Sequence, residues 1–188
     1  MMAAGSTALA LALVGLLLAP TVLGQVAVAV AFLVAAPAAL DLMGADDALP
    51  YGLVVLVVGV LWLVLVERGA WFETYSARVI GGVLVVLGAQ IPVASAHAWV
   101  GYLATLAAAV VGFVLYVLRR FWPYLAVGVV GLTLAAPEAL TDWTEGSVGT
   151  AGLLLVAGVT LLVTSLLGLR LRREKIPPGG KAAAEGPA

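Results

Sequence analysis

An all-α bundle of membrane-spanning helices is the fold class this sequence predicts, and three observations predict it. Of 188 residues, 64% are apolar and only 10% are charged, against roughly 45–50% and 25% in a soluble domain. The charges cluster, leaving charge-free runs at residues 1–40, 48–66, 79–118, 121–137 and 146–169. Those runs are continuously apolar rather than alternating, which selects helices over a barrel. Mean hydropathy is +1.18, and no water-soluble fold of this size has the interior to hide that much apolar surface.

A spanning helix needs about 20 residues, at about 1.5 Å each, to cross a hydrocarbon core roughly 30 Å thick. Runs 1–40 and 79–118 are twice that length, so each must fold back as a hairpin. The first span is expected at 4–20 and the second at 24–40, with the turn running from Pro20-Thr21 to Gln25, where proline and small polar residues suit a surface turn. Gln25 is read there as wet. Residues 9–18 have the length of a signal-peptide core, with Val22-Leu23-Gly24 as its cleavage site. No basic residue precedes it, and cleavage would put the arginines on the wrong face, so the segment is read as a retained span.

The third span is expected at 50–66. Residues 67–78 follow as a short connection, read either as a segment lying in the headgroup layer or as an ordinary solvated loop. The fourth span, 79–95, carries Gln90 and Pro92 near its end, and Ser95-Ala96-His97-Ala98 turns the chain into the fifth, 99–118. Ala104, Ala108 and Gly112 form a small-residue stripe on that fifth span, a packing seam within the chain or towards a second copy. The sixth span, 121–138, ends at Pro137-Glu138, and the seventh covers 147–169. Residues 1–173 are thus one bundle, and 174–188, poor in large apolar residues, form a disordered cytoplasmic tail. A faint repeat offset by 100 residues pairs Ala35-Ala36-Pro37-Ala38-Ala39-Leu40 with Ala135-Ala136-Pro137-Glu138-Ala139-Leu140, suggesting a 4+3 parallel arrangement.

Seven spans place all nine lysines and arginines on one side. The other side holds Asp41, Asp46, Asp47, His97, Glu138, Asp142 and Glu145. Such a bias in short loops puts the N-terminus outside and the C-terminus in the cytoplasm.

The composition excludes several chemistries. Without cysteine there are no disulfides, thiolate metal sites or thiol nucleophiles. A net charge of −1, with the cations held at span ends, leaves no nucleic-acid footprint. No lysine lies in the last span, as a retinal Schiff base would need. The single histidine sits in an outer turn, away from any intramembrane serine or metal cluster. No catalytic residue and no cofactor is expected, and the chain is read as not an enzyme.

Three groups of residues remain as candidate sites. Gln90 and Pro92 could bind a small polar substrate, with a freed backbone carbonyl beside the amide, or mark a kink bonded to a neighbouring helix. Glu138, Asp142 and His97 could converge on the outer rim around a divalent metal, although no motif spacing supports it and outer loops are acidic wherever cations are kept inside. Arg170, Arg172, Arg173 and Lys175 could hold anionic lipid headgroups or simply stop transfer of the last span.

The segments Arg119-Arg120-Phe121-Trp122-Pro123-Tyr124, then Pro137-Glu138-Ala139-Leu140-Thr141-Asp142-Trp143-Thr144, then Gly168-Leu169-Arg170-Leu171-Arg172-Arg173 together resemble the C-terminal part of multi-pass membrane proteins of high-GC actinobacteria, some known only as domains of unknown function. The resemblance covers residues 119–173 and implies a plasma-membrane location, with no activity and no site residue to carry over. The absence of asparagine, with two lysines and three isoleucines, fits a GC-rich genome. The expected function is a non-catalytic accessory, assembly or scaffold module. Its partners would be membrane lipids and another protein, or a second copy met through small-residue helix faces. The alternative is a transporter or channel subunit for a small neutral or weakly polar solute.

Overall fold

The computed structural model describes residues 7, 10–11, 14–15, 21–44, 47–71, 73–144 and 149–173. Among these, all regular structure is helical: α1 (Val22–Leu42), α2 (Ala48–Glu67), α3 (Thr74–Gln90), a 3-10 turn (Ile91–Ala94), α4 (Ala98–Arg119), α5 (Trp122–Trp143) and α6 (Gly149–Arg173). Five helical stretches are long and apolar enough to cross a membrane, namely Val22–Leu42, Ala48–Glu67, Thr74–Ala94, Ala98–Arg119 and Trp122–Thr141. In α6 the apolar part is shorter, Leu154–Leu166. These helices are the second to seventh spans of the sequence reading. Of the first span only Thr7, Ala10, Leu11, Val14 and Gly15 are described, and they are helical. The tail 174–188 lies outside the described residues.

The outer surface is what lipid requires. Leu53, Val57, Leu61 and Val64 on α2, Leu103, Val110, Val114 and Leu118 on α4, and Leu154, Leu155 and Leu162 on α6 are all exposed. Apolar exposure on this scale would be untenable in water.

Close helix contact comes from glycine. On the α2–α3 face a methyl group added at Gly88 would stand 2.2 Å from the Leu56 nitrogen, and one at Gly59 would stand 2.7 Å from the Val85 nitrogen. Without side chains at these points the backbones come together, the main source of helix affinity in lipid. The α4–α5 seam is built likewise, with Gly112 against Gly128 and Tyr124, and Ala109 against Gly131. The buried stripe of α4 is therefore Gly101, Thr105, Ala109, Gly112 and Tyr116. Of the expected stripe only Gly112 belongs to this seam; Ala104 and Ala108 are one residue off and line an open groove.

Prolines within helices leave carbonyls without donors. Pro37 in α1 frees the Leu33 carbonyl, and Tyr51 of α2 donates its hydroxyl to that oxygen at 3.0 Å. Pro92 does not break the fourth span. It is buried within the 3-10 turn that extends the helix by one turn, and it packs on Gly52, where an added Cβ would meet the ring at 2.4 Å.

The connections are tighter than expected. Within the segment 67–78, α2 runs to Glu67 and α3 starts at Thr74, so Arg78 stands in a helix and Trp71 stacks on Trp62, their centroids 4.4 Å apart. Arg120 ends α4 in the left-handed region (φ 59°), a conformation that costs a non-glycine residue roughly 1–2 kcal/mol. It lets α5 begin two residues later.

Candidate functional site

Side-chain pairing defines two ends of the bundle. At one end lie the C-termini of α2 and α4 with the N-termini of α1, α3 and α5. The other end holds the 3-10 turn, His97, Asp47 and the C-terminal part of α5.

Near this second end, Gln90 of α3 donates its amide to Thr105 Oγ1 of α4 and to Glu138 Oε2 of α5, each at 3.2 Å. Thr105 is fully buried, while Gln90 and Glu138 are half-buried. Three helices are thereby tied through one amide, because an amide nitrogen carries two donors and here both reach acceptors. The sequence reading ended the sixth span at Glu138. In fact α5 continues through Pro137 to Trp143, which places Glu138 inside the helix. The reading also paired the Gln90 amide with the carbonyl that Pro92 frees. That carbonyl is Gly88 O, which faces Gly52 of α2, whereas the amide points to α4 and α5, so the two do not form one polar pocket.

Of the three residues expected at an acidic rim, Glu138 bonds Gln90, and His97 Nδ1 lies 4.0 Å from Asp47 Oδ2, with both side chains about half exposed. The Asp142 backbone is in α5, and its side chain lies outside the described residues. Among the described residues no three His, Asp or Glu side chains come close enough to hold a metal.

The first end carries a network that sequence reasoning missed. Glu67 Oε1 accepts from Arg78 Nε at 2.9 Å and from the Tyr124 hydroxyl at 2.6 Å. Its Oε2 lies 3.5 Å from Arg119 Nη1. Arg78 also lies over the Phe121 ring, 3.8 Å from its centroid, a cation–π contact. Trp122 donates its indole N–H to the Tyr75 hydroxyl. One carboxylate therefore joins α2, α3, α4 and α5. The signal for it was present: Glu67 sits next to Arg68 where two helix ends must meet. Gln25, expected to be wet, is 1% exposed; its Oε1 accepts from Ser76 Oγ at 3.3 Å, and its amide points at the Glu73 carbonyl at 3.5 Å. A linear reading does not show that the start of α3 covers Gln25.

Two indole N–H groups, those of Trp62 and Trp71, are buried and find no acceptor among the described residues. Of the expected lipid contacts, Arg170 is exposed on α6. The backbones of Arg172 and Arg173 also belong to α6, while their side chains, and all of Lys175, lie outside the described residues.

Two cavities open on the flanks of the bundle. One, about 620 Å³, lies between α2 and α4, floored by Val85 and Val127, with Glu67, Arg68 and Arg119 at one end. The other, about 260 Å³, lies between α3 and α5 and is lined wholly by apolar side chains, Trp122 among them. Gln90 lines neither. Comparison with family models, with curated proteins and with solved structures finds no match to this chain.

Proposed function

We propose that this chain is a seven-span integral protein of the plasma membrane, N-terminus outside, serving as a non-catalytic accessory, assembly or scaffold module. The observation that carries the reading is how the polar side chains inside the bundle are used. Gln90, Thr105 and Glu138 bond one another across three helices, and Gln25 bonds across two. Such groups act as interhelical glue, each taken up by a partner on another helix. The surface that remains for function is the apolar outer face of the helices. The cation distribution supports the orientation, and the actinobacterial resemblance supports the plasma membrane.

The test is solubilisation from the native membrane, at native expression, in a mild detergent. A complex with a second protein, or a defined homo-oligomer, is the expected product; a lone monomer under every gentle condition would overturn the reading. Reporter fusions after Arg120 are expected on the cytoplasmic side.

One observation favours a second reading, permeation of a small neutral or weakly polar solute. Glu138 lies inside a span, and an intramembrane carboxyl is by default a pointer to a solute or ion path. Proteoliposomes would then show a solute flux that Gln90→Leu abolishes, and absence of flux for any small neutral solute removes it.

A further inference from the structure

We propose that the groove between α2 and α4 seats a single anionic phospholipid, its phosphate on Arg68 and Arg119 and one acyl chain laid along Ala104 and Ala108. The site goes beyond the accessory reading and does not depend on it, since its test needs no protein partner.

The shape argues for an alkyl chain. Ala104, Ala107 and Ala108 leave a trough along α4 that Leu or Val would have filled, and Leu56 and Val60 of α2 form the facing wall. From Ala104 to Arg119 the trough runs about 22 Å at the helical rise, against roughly 15 Å for half of a hydrocarbon core. A chain from the arginine-side leaflet therefore fits lengthwise with its headgroup at the charged end.

Charge complementarity argues for an anionic headgroup. Among the groove's lining residues, Arg68 and Arg119 stand with one carboxylate, that of Glu67, which Arg78 and Arg119 both engage. Glu67 has both oxygens engaged, so about two positive charges are left uncompensated there. Arg78 is turned inwards, its side chain 12% exposed, whereas that of Arg119 is 57% exposed and Arg68 is exposed. The surplus thus stands at the groove mouth. A guanidinium has five N–H donors in a fork that matches phosphate oxygens, and Arg119 uses few of them on Glu67. A transmembrane helix in the same trough would cover the apolar wall but bring no anion to the two arginines. The smaller cavity between α3 and α5 is a useful contrast: it has no charged rim and would take alkyl chains without regard to headgroup.

The test uses the full chain in a mild non-ionic detergent, titrated with dioleoyl phosphatidylglycerol, with dioleoyl phosphatidylcholine and with inorganic phosphate, bound lipid being counted by native mass spectrometry. One phosphatidylglycerol per chain is expected to resist delipidation, with phosphatidylcholine lost first and free phosphate unable to displace the lipid. R68Q and R119Q are each expected to weaken retention about fivefold, and the pair more than either alone. A108L, which fills the trough, should abolish it, and H97A, at the opposite end of the bundle, should change nothing. Because R119Q also disturbs the contact with Glu67, R68Q and A104L carry the test if that variant fails to fold. Equal retention of the two lipids, an H97A effect as large as that of R68Q, or displacement by phosphate would each overturn the proposal. So would a dimer that A108L dissociates while the lipid stays bound.

Discussion

The two ends of the bundle are held together by opposite means. At the arginine end, one carboxylate gathers two guanidiniums and a buried tyrosine hydroxyl from four helices. At the other end the carboxyl of Glu138 meets a neutral amide, and close backbone contact through Gly52 and Gly88 does the rest. The difference teaches where a membrane protein can use full charge. Near the interface, water and headgroups limit the desolvation cost, so an ionic cluster can be built there. Around Gln90, hydrogen bonds from one amide and close packing carry the contact, each bond contributing on the order of 0.6 kcal/mol.

The largest effect should therefore come from the ionic end. Glu67→Ala is expected to cost about 3 kcal/mol, because it strips the partner from two arginines and from a buried hydroxyl; the midpoint of unfolding in mixed micelles reads this directly. Gly88→Ala should come next, at about 2 kcal/mol, since the new methyl meets Leu56 backbone rather than a yielding side chain. Gly158→Ala, with nothing within 4 Å, is the matching control and should gain up to about 0.5 kcal/mol. Glu138 should then separate acceptor from charge: Glu138→Leu is expected to cost about 1 kcal/mol and Glu138→Gln less than about 0.5. Should Glu138→Gln prove as damaging as Glu67→Ala, the contrast between the ends would collapse. The smallest effect is expected from His97→Ala, within about 0.5 kcal/mol, because its pairing with Asp47 is long and solvent-facing.

The helical architecture was legible because ion-free runs and their lengths report directly on the solvent. The grouping of Arg68, Arg78 and Arg119 at one end was legible for the same reason. What could not be read were partnerships across helices. Gln25 looks like a turn residue by position, yet α3 folds over it. Glu138 looks like a span end after a proline, yet Pro137 interrupts only one backbone bond, and α5 continues past it. Ala104 and Ala108 share helical spacing with Gly112, but a four-residue stripe drifts around a 3.6-residue helix, so the seam follows Thr105 and Ala109 instead. Gln90 and Glu138 were each singled out for separate reasons; that they meet is a property of how α3, α4 and α5 pack, which a linear reading does not contain.

The face-to-face indoles of Trp62 and Trp71 give this molecule a built-in optical probe. Two rings held 4.4 Å apart and only 23° from parallel couple their strong short-wavelength transitions, so the circular dichroism should show a couplet at the long-wavelength edge of the helical bands that neither ring gives alone. Because one ring rides on α2 and the other on the chain leading into α3, the couplet reports whether that corner is closed. Trp71→Phe would erase it while leaving the shorter-wavelength helical bands in place.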